Sequence, residues 1–118
     1  MRTVGTTIWM LLVAACVATP RVDGLRGVER IGPGRGGVLQ VYSLHGIGSF
    51  EIEGPSPARI CFHYDADRPF TKLEGFDLTR LEGSAHRGIP VAIDGGCARI
   101  EATRDPARYR VTFVDYYR

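Results

Sequence analysis

The residues with the clearest chemical potential are His63, Asp65 and Asp67, set at every second position and running into Arg68-Pro69. Carboxylates two apart at the start of a loop can offer oxygen ligands to Ca²⁺, and an adjacent imidazole adds a nitrogen suited to a transition metal. A complete calcium loop needs about six or more oxygens and commonly a glycine at its turn, and this stretch has neither. The simpler reading is a solvated strand end in which Asp67 opens a turn that Pro69 continues. His45, beside Gly46, and His86, beside Arg87-Gly88, read as loop histidines with no partner to make them catalytic bases. Serine, histidine and aspartate are all present, yet no Gly-x-Ser-x-Gly elbow arranges them. The glycine-rich stretch 32–37 lacks the Gly-Lys-Ser/Thr ending of a phosphate loop. The sequence therefore names no catalytic residue and no cofactor. A non-enzyme is the expectation, with a metal-dependent enzyme or metal-binding protein on His63, Asp65 and Asp67 as the alternative.

Length and composition narrow the classes further. The chain has 118 residues, 44% of them hydrophobic and 24% charged, with a net charge of +2. Those values fit one globular domain and exclude a disordered tail, a multi-domain enzyme and a polytopic membrane protein. The basic residues are scattered among carboxylates, so no patch of the kind that drives nucleic-acid binding is expected.

The first twenty residues read as an export signal. Arg2 precedes the uncharged run Ile8-Trp9-Met10-Leu11-Leu12-Val13-Ala14-Ala15. Such a run is too short for roughly 30 Å of hydrocarbon, which takes about 20 residues, and it has the order of a secretory signal peptide. Val13-Ala14-Ala15-Cys16 resembles the lipobox of bacterial lipoprotein precursors, departing from its commonest form in having Val13 where leucine is usual. The resemblance implies that residues 1–15 are removed and that Cys16 is lipidated as the first mature residue. It further implies, through Val17 rather than Asp after the cysteine, an outer-membrane location facing the periplasm in a Gram-negative cell. The rival is ordinary cleavage after Ala18, giving a secreted or periplasmic protein.

Either route leaves Cys61 and Cys97 from a total of three cysteines. Two thiols in an oxidising compartment pair more often than not, and no Cys-x-x-Cys marks them as redox-active or metal-binding. A structural disulfide is expected.

The elements that must position these residues read as strands. Residues 16–37 show no periodic apolar pattern and are rich in glycine, which reads as a lipid-anchored flexible tether. From Val38 to Arg118, short runs of β-branched and aromatic residues alternate with turn signals every eight to twelve residues. Residues 59–65 alternate cleanly, with Ile60, Phe62 and Tyr64 inward and Arg59, Cys61 and His63 outward. A hairpin over 89–103 with Gly95-Gly96 at its turn puts Ile93 opposite Ala98 and Val91 opposite Ile100. Cys61 and Cys97 then share an outer face or strand end, so their bridge would staple strands. Residues 71–82 read as a strand through Phe76, Leu78 and Arg80, against a helix suggested by Thr71 and Glu74 at capping-box spacing. The fold class is all-β, an immunoglobulin-like antiparallel sandwich of about seven strands with one disulfide.

Tyr116, Tyr117 and Arg118 cluster at the C-terminus, and tyrosine and arginine are enriched at binding surfaces. The functional expectation is a binding or structural module of the cell envelope, held to the membrane through Cys16 and meeting an envelope or extracellular protein. An inhibitor of a periplasmic hydrolase, with a protruding loop at 83–88, is a further alternative.

Overall fold

The computed structural model describes residues 20–34, 37–82, 85–101 and 106–115. Its strands are β1 (Arg21–Arg26), β2 (Arg30–Pro33), β3 (Val38–Tyr42), β4 (Ile47–Gly54), β5 (Arg59–Asp65), β6 (Arg68–Pro69), β7 (Gly75–Glu82), β8 (Ala85–Gly88), β9 (Val91–Asp94), β10 (Cys97–Ile100) and β11 (Ala107–Val114). No α-helix occurs among the described residues. One sheet has the order β1-β4-β11-β7-β8, and the other β2-β3-β5-β10-β9 with β6 beside β5. The all-β sandwich that the strand rhythm predicts is the architecture, with eleven strands among the described residues where about seven are expected.

Period-two alternation places the core. Leu39 and Val41 of β3, Phe50 and Ile52 of β4, and Ile60, Phe62 and Tyr64 of β5 are buried, as are Tyr109, Val111 and Phe113 of β11. Phe62 sits at the centre, its ring 4.6 Å from that of Phe113 and 5.6 Å from that of Phe70. Of segment 71–82, residues 75–82 are strand: Gly75 opens β7, and Leu78 is buried from it opposite Val111.

Two expectations are corrected. Residues 21–33, read as tether, form β1 and β2, which pair with β4 and β3. Their apolar residues are too sparse to alternate, yet Val22, Val28 and Ile31 pack against the core. Gly27, at φ 69°, lets the chain cross between the sheets hard against β4, where a Cβ would collide with the Ile47 carbonyl. Likewise 85–88, read as part of a protruding loop, is edge strand β8, paired with β7 from Glu82↔Ala85 to Thr79↔Gly88.

The hairpin register is as the apolar pattern requires: Asp94 faces Cys97, Ile93 faces Ala98, and Val91 faces Ile100. Across the next strand boundary Cys97 faces Cys61, and the two are disulfide-bonded with Cα atoms 4.1 Å apart. Phe62 N–H donates to the Gly96 carbonyl and Ile100 N–H to that of Ala58. Cys61 and Cys97 therefore occupy a non-hydrogen-bonded pair, the position where antiparallel Cα atoms approach most closely. The bridge staples β5 to β10 on the outward side of one sheet. Parallel pairing of β3 with β5 arises because the chain runs through β4 in the opposite sheet between them.

Candidate functional site

The three residues first singled out do not converge. His63 lies on the outward side of β5, where its Nε2–H donates to the Gln40 side-chain oxygen at 2.5 Å. Its ring stacks on Tyr42 with centroids 4.9 Å apart. The pairing shifts register between His63 and Asp65. Asp65 then accepts the Asp67 backbone N–H at 3.1 Å and approaches Arg68 at 3.8 Å. These are the contacts of a solvated strand end closing on a short turn. Among the described residues, no three histidine, cysteine or acidic side chains gather as a metal centre would require.

A different set of side chains forms a depression of about 420 Å³ at the end of the sandwich where β3 turns into β4. The turn is Ser43-Leu44-His45-Gly46, closed by Gly46 N–H to the Ser43 carbonyl at 3.3 Å. It is fixed on several sides. Ser43 Oγ donates to the Gly27 carbonyl at 2.6 Å, Ser43 N–H to that of His63, and Leu44 N–H to Glu29 Oε1 at 2.8 Å. Asp115 N–H donates to the Gly46 carbonyl at 2.7 Å. Gly46 has φ 73°, and a Cβ there would lie 2.9 Å from the Asp115 carbonyl oxygen and 3.2 Å from the Tyr64 ring. Only glycine meets both demands without strain.

From this rigid turn, Leu44 and Ile47 project with 52% and 53% of their surface exposed. Beneath them, Tyr64 reaches in from β5 and donates its hydroxyl hydrogen bond to Asp115 Oδ2 at 2.7 Å. Both are buried, so an acidic group stands at the floor of a partly apolar depression. The Arg68 guanidinium lies 5.1 Å from the Tyr64 ring centroid, at cation–π range. The arrangement offers an apolar rim, one buried carboxylate and one flanking cation, which suits binding.

The site was partly visible in the sequence. His45-Gly46 was read as a turn and Tyr64 as inward, but Leu44, Ile47 and Asp115 were not singled out. A tyrosine at an inward position needs a polar partner for its hydroxyl, and that requirement could have pointed to a buried acid. Tyr116, Tyr117 and Arg118 follow directly after Asp115 but lie outside the described residues, as do residues 1–19 with Cys16. His86 is exposed on β8.

The outward side of the second sheet carries a separate ladder. Arg30, Tyr42 and His63 stand in register across β2, β3 and β5, with the Arg30 guanidinium 3.8 Å from the Tyr42 ring centroid. Burial, and secondarily the Arg30 charge, holds the His63 imidazole below its ordinary pKa. On the opposite outer face, Glu51 accepts from Arg108 at 2.7 Å and from Arg110 at 3.4 Å. The Arg108 hydrogen bond is the main cause of a lowered Glu51 pKa, working against the desolvation that would raise it.

Comparison with known protein families, with curated proteins and with solved structures finds no match for this chain.

Proposed function

We propose that this chain is an exported binding module of the cell envelope, lipid-anchored through Cys16 at the outer membrane. It engages an envelope or extracellular protein through the depression at its β3–β4 end. The observation that carries the reading is the combination at Leu44-His45-Gly46-Ile47. Two large aliphatic side chains are half exposed on a turn held by hydrogen bonds to Gly27, Glu29 and His63 and by one from Asp115. Exposed apolar groups lose affinity when they must first be ordered, and a fixed turn removes that cost. Exposed apolar surface rimmed by polar groups is the composition of an interaction site.

Anchoring rests on the lipobox-like run before Cys16. It is tested by blocking the lipoprotein-specific signal peptidase: precursor should accumulate, and Cys16→Ser should release the protein from membranes. A Cys16→Ser chain that stays membrane-bound overturns the anchor. Binding is tested by crosslinking in envelope extract with the parent chain and with Leu44→Glu/Ile47→Glu. A partner crosslinked by the parent and lost from the variant supports the site. A partner captured equally by both overturns it.

A further inference from the structure

The two outer faces of the sandwich differ in how their charges are balanced. On the β1-β4-β11-β7 side, register places Arg21, Arg26, Arg108 and Arg110 outward among Asp23, Glu51, Glu53 and Asp77. Arg21 pairs with Asp23 and Glu53, and Arg108 and Arg110 both pair with Glu51. On the β2-β3-β5-β10-β9 side, the outward positions carry Arg30, Arg59, Arg99 and His63 against Asp94. Asp65 stands at the far tip, paired with Arg68, and Glu101 lies at the rim just past β10. Arg59 and Arg99 face each other directly across β5 and β10. Like charges in that position repel. Asp94 reaches Arg59 at 3.0 Å; Arg99 has no ion pair among the described residues.

A second observation bears on what covers this face. Pro20 packs beside Gly54 at the end of β4, and the chain turns from Gly54 to Arg59 at that same end. Arg59 and Arg99 thus stand at the end of the sandwich where the N-terminal segment arrives. Only Val17, Ala18, Thr19 and Pro20 separate Cys16 from β1. Fully extended, they span at most about 14 Å.

From these two observations, we infer that the outward face of the β2-β3-β5-β10-β9 sheet lies on an anionic lipid surface beside the anchor, with Arg30, Arg59 and Arg99 against the headgroups. This rests on the proposed lipidation of Cys16. A tether of at most about 14 Å holds the near end of the domain within about two Debye lengths of the bilayer, where each arginine drawn onto the surface gains from its potential. The Tyr42 ring is already covered by Arg30 and His63 on its two sides, so a sugar ring has no open aromatic face to stack on. Charge, rather than stacking, is what the face offers.

The test uses the full chain carrying Cys16→Ser, which cannot be lipidated, so it does not depend on the anchor. Its partitioning is measured on phosphatidylglycerol vesicles and on phosphatidylcholine vesicles, and the ratio is compared with that of the same chain bearing Arg30→Gln/Arg59→Gln/Arg99→Gln. Any insertion by the apolar N-terminal segment is common to both and cancels. The parent should prefer phosphatidylglycerol, and each arginine removed should lower that preference roughly fivefold; Arg99→Gln alone is the mildest variant. The control Arg21→Gln/Arg108→Gln/Arg110→Gln should retain the preference. No preference in the parent, an undiminished preference in the triple variant, or an equal loss in the control overturns the inference. Tighter binding to soluble polyphosphate than to the vesicles overturns the lipid as occupant. Each failure leaves the Cys16 anchor to its own test.

Discussion

Tyr64 and Asp115, 51 residues apart in the chain, meet as a buried hydrogen-bonded pair at 2.7 Å that joins the two sheets at one end of the sandwich. Tyr64 belongs to β5 and Asp115 directly follows β11. Tyr64→Phe removes the donor and leaves the Asp115 carboxylate, only 5% exposed, short of a partner. A loss of about 1–3 kcal/mol is expected, read from the urea midpoint at unchanged slope.

Gly46→Ala should cost about 1–3 kcal/mol. The φ of 73° disfavours any side chain, and the added methyl meets the Asp115 carbonyl oxygen and the Tyr64 ring. Thermal unfolding of the variant checks this. A change within experimental scatter would mean that the turn is looser than the hydrogen bonds around it imply.

Reducing the Cys61–Cys97 bridge frees a loop of 36 residues' separation. In the chain-entropy account this removes about 4 kcal/mol, measured as the stability difference between the parent and Cys61→Ser/Cys97→Ser. Unfolding the mature chain without reductant should expose no titratable thiol from either position.

Acid should weaken the fold through His63 and then through Glu51. Both groups have folded pKa values below their unfolded ones. Each therefore binds fewer protons when folded, and its contribution to stability is present above the unfolded pKa and lost as pH falls through the folded one. The His63 contribution begins to fade below the ordinary imidazole range, and the Glu51 contribution only below the ordinary carboxylate range. Arg30→Gln should raise the His63 pKa, seen by NMR titration of the ring. Arg108→Gln should raise that of Glu51 and flatten the acid limb of the stability curve.

Much of the fold was legible because strand alternation and turn chemistry are local. Ile60, Phe62 and Tyr64 declare their face at every second position. Gly95-Gly96 fixes the hairpin that brings Cys97 opposite Asp94, and only one register keeps Ala98 and Ile100 inward. Edge strands were harder. β1 and β2 are held by backbone pairing and need few apolar residues, so Val22 and Ile31 among glycines looked like a tether. β8 was hidden for the same reason, since His86, Arg87 and Gly88 are exposed. The depression at the β3–β4 end was the least legible feature. Asp115 is acidic by composition, and only its long-range encounter with Tyr64 makes it a buried group. The spacing of His63, Asp65 and Asp67 allowed a metal site beside the simpler strand-end reading; a register shift in β5–β6 pairing and the Gln40 bond to His63 turn the three to separate neighbours.

The position of β11 also bears on the order in which the fold can be completed. It is the last described strand in sequence, yet it lies in the middle of its sheet, pairing with β4 on one side and β7 on the other. Until residues 107–114 have emerged from the ribosome, β4 and β7 have no shared neighbour, and Val111 and Phe113 are missing from the core. The β1-β4-β11-β7-β8 sheet therefore closes only once β11 has joined it. Pairing that far apart in sequence carries a loop-closure cost that must be met before the contacts of Val111 and Phe113 offset it, which slows folding relative to a fold of local hairpins.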